Sequence, residues 1–311
     1  MFSYSTEQKL YTIGRVKVGG QPGETPTLLI GTVFYGKKYI SPSRETLLQM
    51  ERDIEAQRAL SETTGNPGIL DVFIDDRSRV ESRISFVLDN IHPEEPFSLD
   101  IPEADVRIKA LDYIGDRNEL DRVIYNSLSI GITDAERETL QSCTPKAAVL
   151  LGYNPRDLST DGRLGILDHG AGIIENGLVA TARDIGIECL LLDTAATPFG
   201  HMAAETLRSI PAMKNRWGYP VGCSIHNMVE SWKWLGERRK EQPELYRICD
   251  AGSNGLAVLL GADYMIYGPV HNAPYIFPYT AMVDKLVSEG AEEYFGVEPL
   301  DIAGHPRSRL P

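Results

Sequence analysis

The sequence has no uninterrupted apolar run approaching the roughly 18–20 residues that a helix needs to cross a bilayer. Its start, MFSYSTEQKLY, is polar and lacks the features of a secretory signal. Cysteine is scarce: Cys143, Cys189, Cys223 and Cys249 are widely spaced, and none forms a CxxC pair. Reduced thiols of a cytoplasmic protein are expected, not a disulfide framework. Basic charge is short as well. With 31 Lys and Arg against 44 Asp and Glu, the formal net charge is −13, which argues against nonspecific nucleic-acid binding. The basic run Arg238-Arg239-Lys240 is followed by Glu241 and reads as a solvated helix face. No G-x-G-x-x-G follows the first expected strand, and there is no P-loop and no G-x-S-x-G elbow. No HxH, HExxH or Cys/His cluster with ligand spacing occurs, so no bound metal is expected; Asp193, His226 and His271 are the residues that could converge on one.

What is present is a real core and a repeat. The apolar fraction is 42% over 311 residues, enough for one large barrel or two ordinary domains. Eight short apolar segments stand out: Leu28–Tyr35, Ile69–Asp75, Phe97–Ile101, Val123–Leu128, Ala147–Asn154, Cys189–Ala195, Pro220–Asn227 and Asp263–Pro269. Most are continuous rather than alternating, as in parallel strands buried on both faces. Helical patterns lie between them. Ser43–Leu60 opens with a Ser cap, Val80–Ile91 follows the i, i+4, i+7 template, and Thr133–Leu140 begins with a capping box whose partner is Glu136. Ile173–Ile185, Met202–Met213, Ser231–Arg239, Asn254–Leu260 and Tyr279–Ala291 read as further helices. This strand–helix repeat predicts a (β/α)8 TIM barrel. A doubly wound sheet is the alternative. No linker divides the chain, so residues 1–311 are expected to form one domain, with residues 1–25 covering the N-terminal end of the barrel. Pro155–Leu167 and Trp234–Gly252 are insertions, where barrel enzymes keep lids and partner contacts.

The apolar segments end in amides and carboxylates. Asp75, Asp100, Asn126, Asn154, Asp193 and Asn227 fall there, at the strand ends where barrel enzymes build their sites. Carboxylates accept paired N–H donors, and amides both donate and accept. Such a ring suits the amino-pyrimidinone edge of a pterin better than a phosphate, which would want glycine-rich nests or arginine. Each residue has a structural alternative. Asp75 and Asp100 could cap helices, Asn154 before Pro155 could shape a turn, and His226 could be a hydrogen-bonded core histidine as readily as a catalytic one.

Three stretches carry a resemblance: YTIGRVKVGGQPGETPTLLIGTVFYGKK, SETTGNPGILDV and LLLDTAATPFG. They resemble the H subunit of tetrahydromethanopterin S-methyltransferase and its soluble relatives, over essentially the whole chain. Within that family the sequence looks most like bacterial methylcorrinoid:tetrahydrofolate methyltransferases of glycine betaine and methylamine demethylation. The resemblance implies a pterin-binding (β/α)8 barrel. More distant methyltetrahydrofolate:corrinoid methyltransferases hold the pterin with an Asp, an Asn and an Asp after the third, fourth and sixth strands. The matching positions here are Asp100, Asn126 and Asp193. The same relatives place an Asn near pterin N5 after the seventh strand, which points to Asn227, although the Asn here is displaced by two places. His226 is its rival.

The implied reaction moves a methyl group from a methylated corrinoid protein (methylcob(III)alamin) to N5 of tetrahydrofolate. A tetrahydromethanopterin-type acceptor is the alternative, as is a subunit of a membrane methyltransferase complex without turnover of its own. The corrinoid would arrive on a separate protein, because the chain shows no DxHxxG lower-ligand motif. A homodimer is implied by resemblance only. A dihydropteroate synthase-like activity would want basic phosphate-binding residues near the last strands, and MIYGPVHNAPY offers none.

Overall fold

The computed structural model describes residues 2–310, so Met1 and Pro311 of the expected domain lie outside the described residues. The chain begins with an antiparallel hairpin, β1 (Leu10–Ile13) and β2 (Val16–Gly19). Barrel strands follow: β3 (Leu28–Val33), β4 (Gly68–Phe73), β5 (Phe97–Asp100), β6 (Val123–Leu128), β7 (Ala147–Leu151), β8 (Cys189–Asp193), β9 (Val221–Cys223) and β10 (Tyr264–Pro269). They pair in parallel, in chain order, and β10 closes on β3. The expected (β/α)8 barrel is the observed fold. Every residue of β3 is buried, because one face of a barrel strand fills the interior and the other lies under helices.

The helices are α1 (Arg44–Thr64), α2 (Val80–Asn90), α3 (Ala104–Gly115), α4 (Asp134–Ser142), α5 (Thr160–His169) and α6 (Leu178–Ile185). They continue with α7 (Ala204–Trp217), α8 (Ile225–Glu230), α9 (Lys233–Arg238), α10 (Pro243–Leu259), α11 (Ala273–Phe295) and α12 (Pro306–Arg309). Ser43 caps α1 and Thr133 caps α4 with the reciprocal Glu136 bond, as the sequence predicts. Helices α3, α5 and α12 escaped the sequence reading. In α3, Val106, Ala110, Leu111 and Ile114 are buried on one face, a helical spacing between the third and fourth barrel strands.

Ile13, Val16 and Val18 of the hairpin pack in one buried cluster with Leu28, Ile30, Ile69, Ile124 and Leu191. The hairpin thus seals the N-terminal end of the barrel. Lys214 Nζ is fully buried there and donates to both carboxylate oxygens of Asp263, at 2.7 and 2.8 Å, and to the Gly20 carbonyl at 2.9 Å. The opposite end stays open.

The seventh strand corrects the sequence reading. Pro220–Asn227 is an expected strand, but β9 stops at Cys223 and α8 starts at Ile225. Ile225, Met228 and Val229 are buried at helical spacing, so the chain turns as soon as Ser224 is passed. His226 and Asn227 stand on the first turn of a helix and not on a strand end.

Candidate active site

The open end is lined by polar side chains that β3, β4, β5, β6 and β8 aim inward. Asp71, in the middle of β4, is fully buried. Its carboxylate accepts from Asn126 Nδ2 at 3.4 Å and from Thr32 Oγ1 at 3.3 Å. Burial raises the Asp71 acid above the ordinary carboxylate range, and these hydrogen bonds partly oppose the rise. Asp100 ends β5 in register with Asn126 on β6. Burial, and then the neighbouring Asp71 charge, hold Asp100 well above the usual value. A charge on Asp71 disfavours a second charge on Asp100, so Asp100 keeps its proton longer. The pair offers an acceptor beside a carboxyl that holds its proton more tightly than usual.

Asp193 closes β8 and is buried. Its Oδ1 accepts the Ala195 backbone N–H at 2.6 Å. Burial pushes its acid up to about 6, opposed by that bond and by the Arg163 charge. Arg163, buried on α5, shapes the loop that follows: it donates to the Thr194 carbonyl at 2.7 Å and to Thr197 Oγ1 at 3.2 Å. Ala195 has φ 56° and Phe34, just after β3, has φ 66°. Left-handed backbone at non-glycine residues is strained, and it persists only where surroundings over-determine it.

The remaining expected residues are placed differently. Asp75 lies beyond the end of β4 and forms ion pairs with Arg79 at 2.7 Å and Arg83 at 2.9 Å. Asn154 is buried and shapes a turn: Oδ1 accepts from the amides of Arg156 and Asp157, and Nδ2 donates to the Gly162 carbonyl at 3.2 Å. Neither joins the cluster of Asp71, Asp100 and Asn126. Asp100 does share a cleft of about 370 Å³ with Thr32, His226, Asn227, Glu230 and Gly268. Asn227 is exposed there, whereas His226 is buried with Nδ1 3.0 Å from Asp250 Oδ1. Among the described residues no group of three or more His, Cys, Asp or Glu side chains could hold a metal ion. A second cleft of about 420 Å³ opens beside Arg15, Lys17 and Asp301 at the hairpin-covered end, the end that barrel enzymes do not use for chemistry.

The segments after β3, β8 and β9 carry exposed aromatics. Tyr35 is 57% exposed, and Phe199 and Trp234 are each 44% exposed. Trp232 packs against both Phe199 and Trp234, with ring centroids 5.0 Å apart in each case.

Sequence reasoning missed Asp71, Arg163 and Asp250. For Asp71 the signal was there: a carboxylate inside the apolar run Ile69-Leu-Asp-Val-Phe73 must be held by something, because leaving it unpartnered is costly. Arg163 and Asp250 lie on helices of the two insertions, with no local cue to what they meet.

Solved structures share this architecture at low identity. Dihydropteroate synthase of Yersinia pestis, in a sulfonamide drug complex, matches with TM-score 0.61 and 14% identity over 90% of this chain and 100% of that one. The enzyme from Coxiella burnetii, in complex with pteroic acid, matches with TM-score 0.58 and 16% identity over 85% and 94%. The fold is shared; at this identity nothing more follows. Among the described residues no helix is long and apolar enough to cross a membrane. Curated relatives are much nearer. The H subunit of the Methanothermobacter thermautotrophicus tetrahydromethanopterin S-methyltransferase is 38% identical over all of both chains, and its Methanosarcina barkeri counterpart is 35% identical over all of both. The model of the tetrahydromethanopterin S-methyltransferase MtrH subunit matches residues 6–300. With that span and those identities, the chain belongs to the MtrH family.

Proposed function

We propose that this chain is a methyltransferase that carries a methyl group between a corrinoid held by a partner protein and N5 of a reduced pterin. The observation that carries the reading is the cluster at the open end of the barrel, where the buried Asp71 meets the half-buried Asp100 and Asn126. Two carboxyl groups and an amide present acceptors and donors together. This set matches the alternating N–H and C=O edge of a pterin. Asp193 supplies a further buried carboxylate from the far side of the mouth. Transfer is a displacement at a methyl carbon, so the protein's contribution is to hold two reactants in line. Positioning alone is worth up to ~7–11 kcal/mol.

The choice of pterin shifts from the expectation. The resemblance favoured tetrahydrofolate, but the near relatives are named for tetrahydromethanopterin. We therefore take a tetrahydromethanopterin-type pterin as the preferred acceptor. Both pterins share the head that the strand ends would read, and they differ in the tail. Calorimetric titration of each reduced pterin against the purified chain is the test. Tighter binding of tetrahydrofolate would reverse the preference, and binding of neither would end the pterin reading.

Two partners follow. The aromatic side chains of Tyr35, Phe199, Trp232 and Trp234, on segments that follow β3, β8 and β9, would meet the corrinoid protein at the open end, as part of an assembly like the one that the relatives' names describe. A second copy of the chain would sit elsewhere. Ile248, Leu256 and Leu259 on α10 and Tyr275, Tyr279, Met282 and Leu286 on α11 are all exposed. The two stripes adjoin, because Gly255 packs directly on the Tyr279 ring. Together they present one continuous apolar face, the kind of surface that stable interfaces cover. Glu244 and Arg247 line the groove between them. Opposite charges on one patch let a two-fold copy pair each with the other.

A further inference from the structure

The His226 ring is held more firmly than a residue beside a cleft requires. Nδ1 meets Asp250 Oδ1 at 3.0 Å, and both residues are buried. Asp250 comes from α10, and its other oxygen accepts from Asn272 Nδ2 at 3.4 Å. Gly268 lies flat against the ring: a Cβ at that position would stand 2.4 Å from it. The Tyr246 ring meets its edge at 6.3 Å between centroids. Nε2, by contrast, makes no hydrogen bond to any described residue. Glu230 Oε2 stands 4.0 Å from it, beyond hydrogen-bond reach, and is itself engaged by Tyr246, while Arg239 holds the other oxygen at 2.6 Å. His226 also lines the cleft with Asp100 and Asn227.

Resting on the methyl-transfer reading, we infer that Asp250 is a positioning residue that keeps the His226 proton on Nδ1 and turns Nε2 to the cleft as the proton acceptor for pterin N5. A carboxylate on one ring nitrogen fixes the tautomer and leaves the other nitrogen with its lone pair. The chemistry needs such a group. Methylation forms the N5–CH3 bond and breaks the bond from carbon to cobalt, whose electron pair stays on the metal, taking Co(III) to Co(I). N5 of the reduced pterin carries a hydrogen that must leave as a proton. His226 Nε2 takes that proton and passes it to solvent; in the reverse direction it returns it. The charged and titratable groups around the ring are Asp250, Glu230, Tyr246, Arg239 and His271.

The experiment uses the full chain with 15N-labelled histidine, the His226 signals being identified by their loss in His226→Gln. At about pH 8, above the ordinary histidine range, wild type is expected to show Nδ1 protonated and Nε2 bare. Asp250→Asn should lose that tautomer, because its amide can donate to Nδ1. It should bind the reduced pterin within about threefold of wild type while single-turnover methyl transfer from methylcob(III)alamin falls ~10²-fold. Asp250→Glu should recover part of the rate. A wild-type ring protonated mainly on Nε2 overturns the proposal, even if no Asp250 variant folds. So does an unchanged tautomer in Asp250→Asn, or a loss of rate matched by an equal loss of pterin affinity. Failure of the wild type to bind any reduced pterin would sink the methyl-transfer reading instead, and the tautomer would still be measured.

Discussion

Asn126 on β6 donates to Asp71 on β4 at 3.4 Å, reaching across β5, the strand between them. The bond is possible because both side chains point into the barrel, where strands that are not neighbours converge. It ties the most deeply buried carboxylate of the mouth to the amide that sits in register with Asp100.

Removing the amide should therefore weaken pterin binding without unfolding the barrel. Asn126→Ala and Asp193→Ala are each expected to lower pterin affinity ~10–100-fold, the value of a charge-assisted hydrogen bond. Calorimetry of pterin binding, with a thermal melt as control for folding, measures both. Wild-type affinity in the two variants would remove these residues from the site.

Asp71 and Asp100 titrate as a pair, so changing one should move the other. Asp71→Asn takes away the like charge that helps raise Asp100. The Asp100 carboxyl should then titrate at lower pH, seen as an earlier 13C carboxyl shift in labelled protein. An unmoved Asp100 would mean that burial alone raises it.

Asp193 links the site to pH. Its folded acid lies at about 6, above the 3.8 of a free aspartate. A raised acid binds its proton more tightly in the folded chain. Its contribution is complete below the unfolded value and fades as pH climbs through about 6. Ionised Asp193 thus destabilises the fold by up to about 3 kcal/mol. Asp193→Asn keeps an acceptor for the Ala195 amide and has no charge to bury. It should be more stable than wild type in urea at about pH 8, with the difference vanishing toward about pH 4. Pterin binding that uses the carboxylate should strengthen through the same range in wild type and stay flat in the variant.

Exhaustive chelation is expected to leave methyl transfer unchanged when methylcob(III)alamin and reduced pterin are supplied. The motive is that the sequence shows no HxH, HExxH or Cys/His cluster with ligand spacing. Loss of activity restored by zinc would show that His226 or His271 serves as a ligand.

The outer face of α10 and α11 predicts a dimer. Sedimentation of the full chain should give twice the chain mass, and Ile248→Glu with Met282→Glu, both at exposed positions, should give monomer with an unchanged circular dichroism spectrum. A monomeric wild type, or a variant that still dimerises, would assign this face to something else.

The barrel itself was legible in the sequence. Strands buried on both faces are written as continuous apolar runs, and all eight expected segments overlap an observed strand. Caps at Ser43 and Thr133 are likewise local signals, since the groups that bond lie within a few residues of each other. Asp100, Asn126 and Asp193 could be placed because a polar residue ending an apolar run marks the mouth. Tertiary structure decided the rest. The turn role of Asn154 was among the readings the sequence offered, and its bonds are local, but local text could not show that Asp75 is occupied by the buried Arg83. Nor could it show Asp71 meeting Asn126 from 55 residues away, or His226 meeting Asp250 from another helix. A strand or a helix turn is set by neighbours in sequence, whereas a site is set by side chains that closure of the barrel brings together. Spacing along the chain carries the first kind of information, and only the packed interior carries the second.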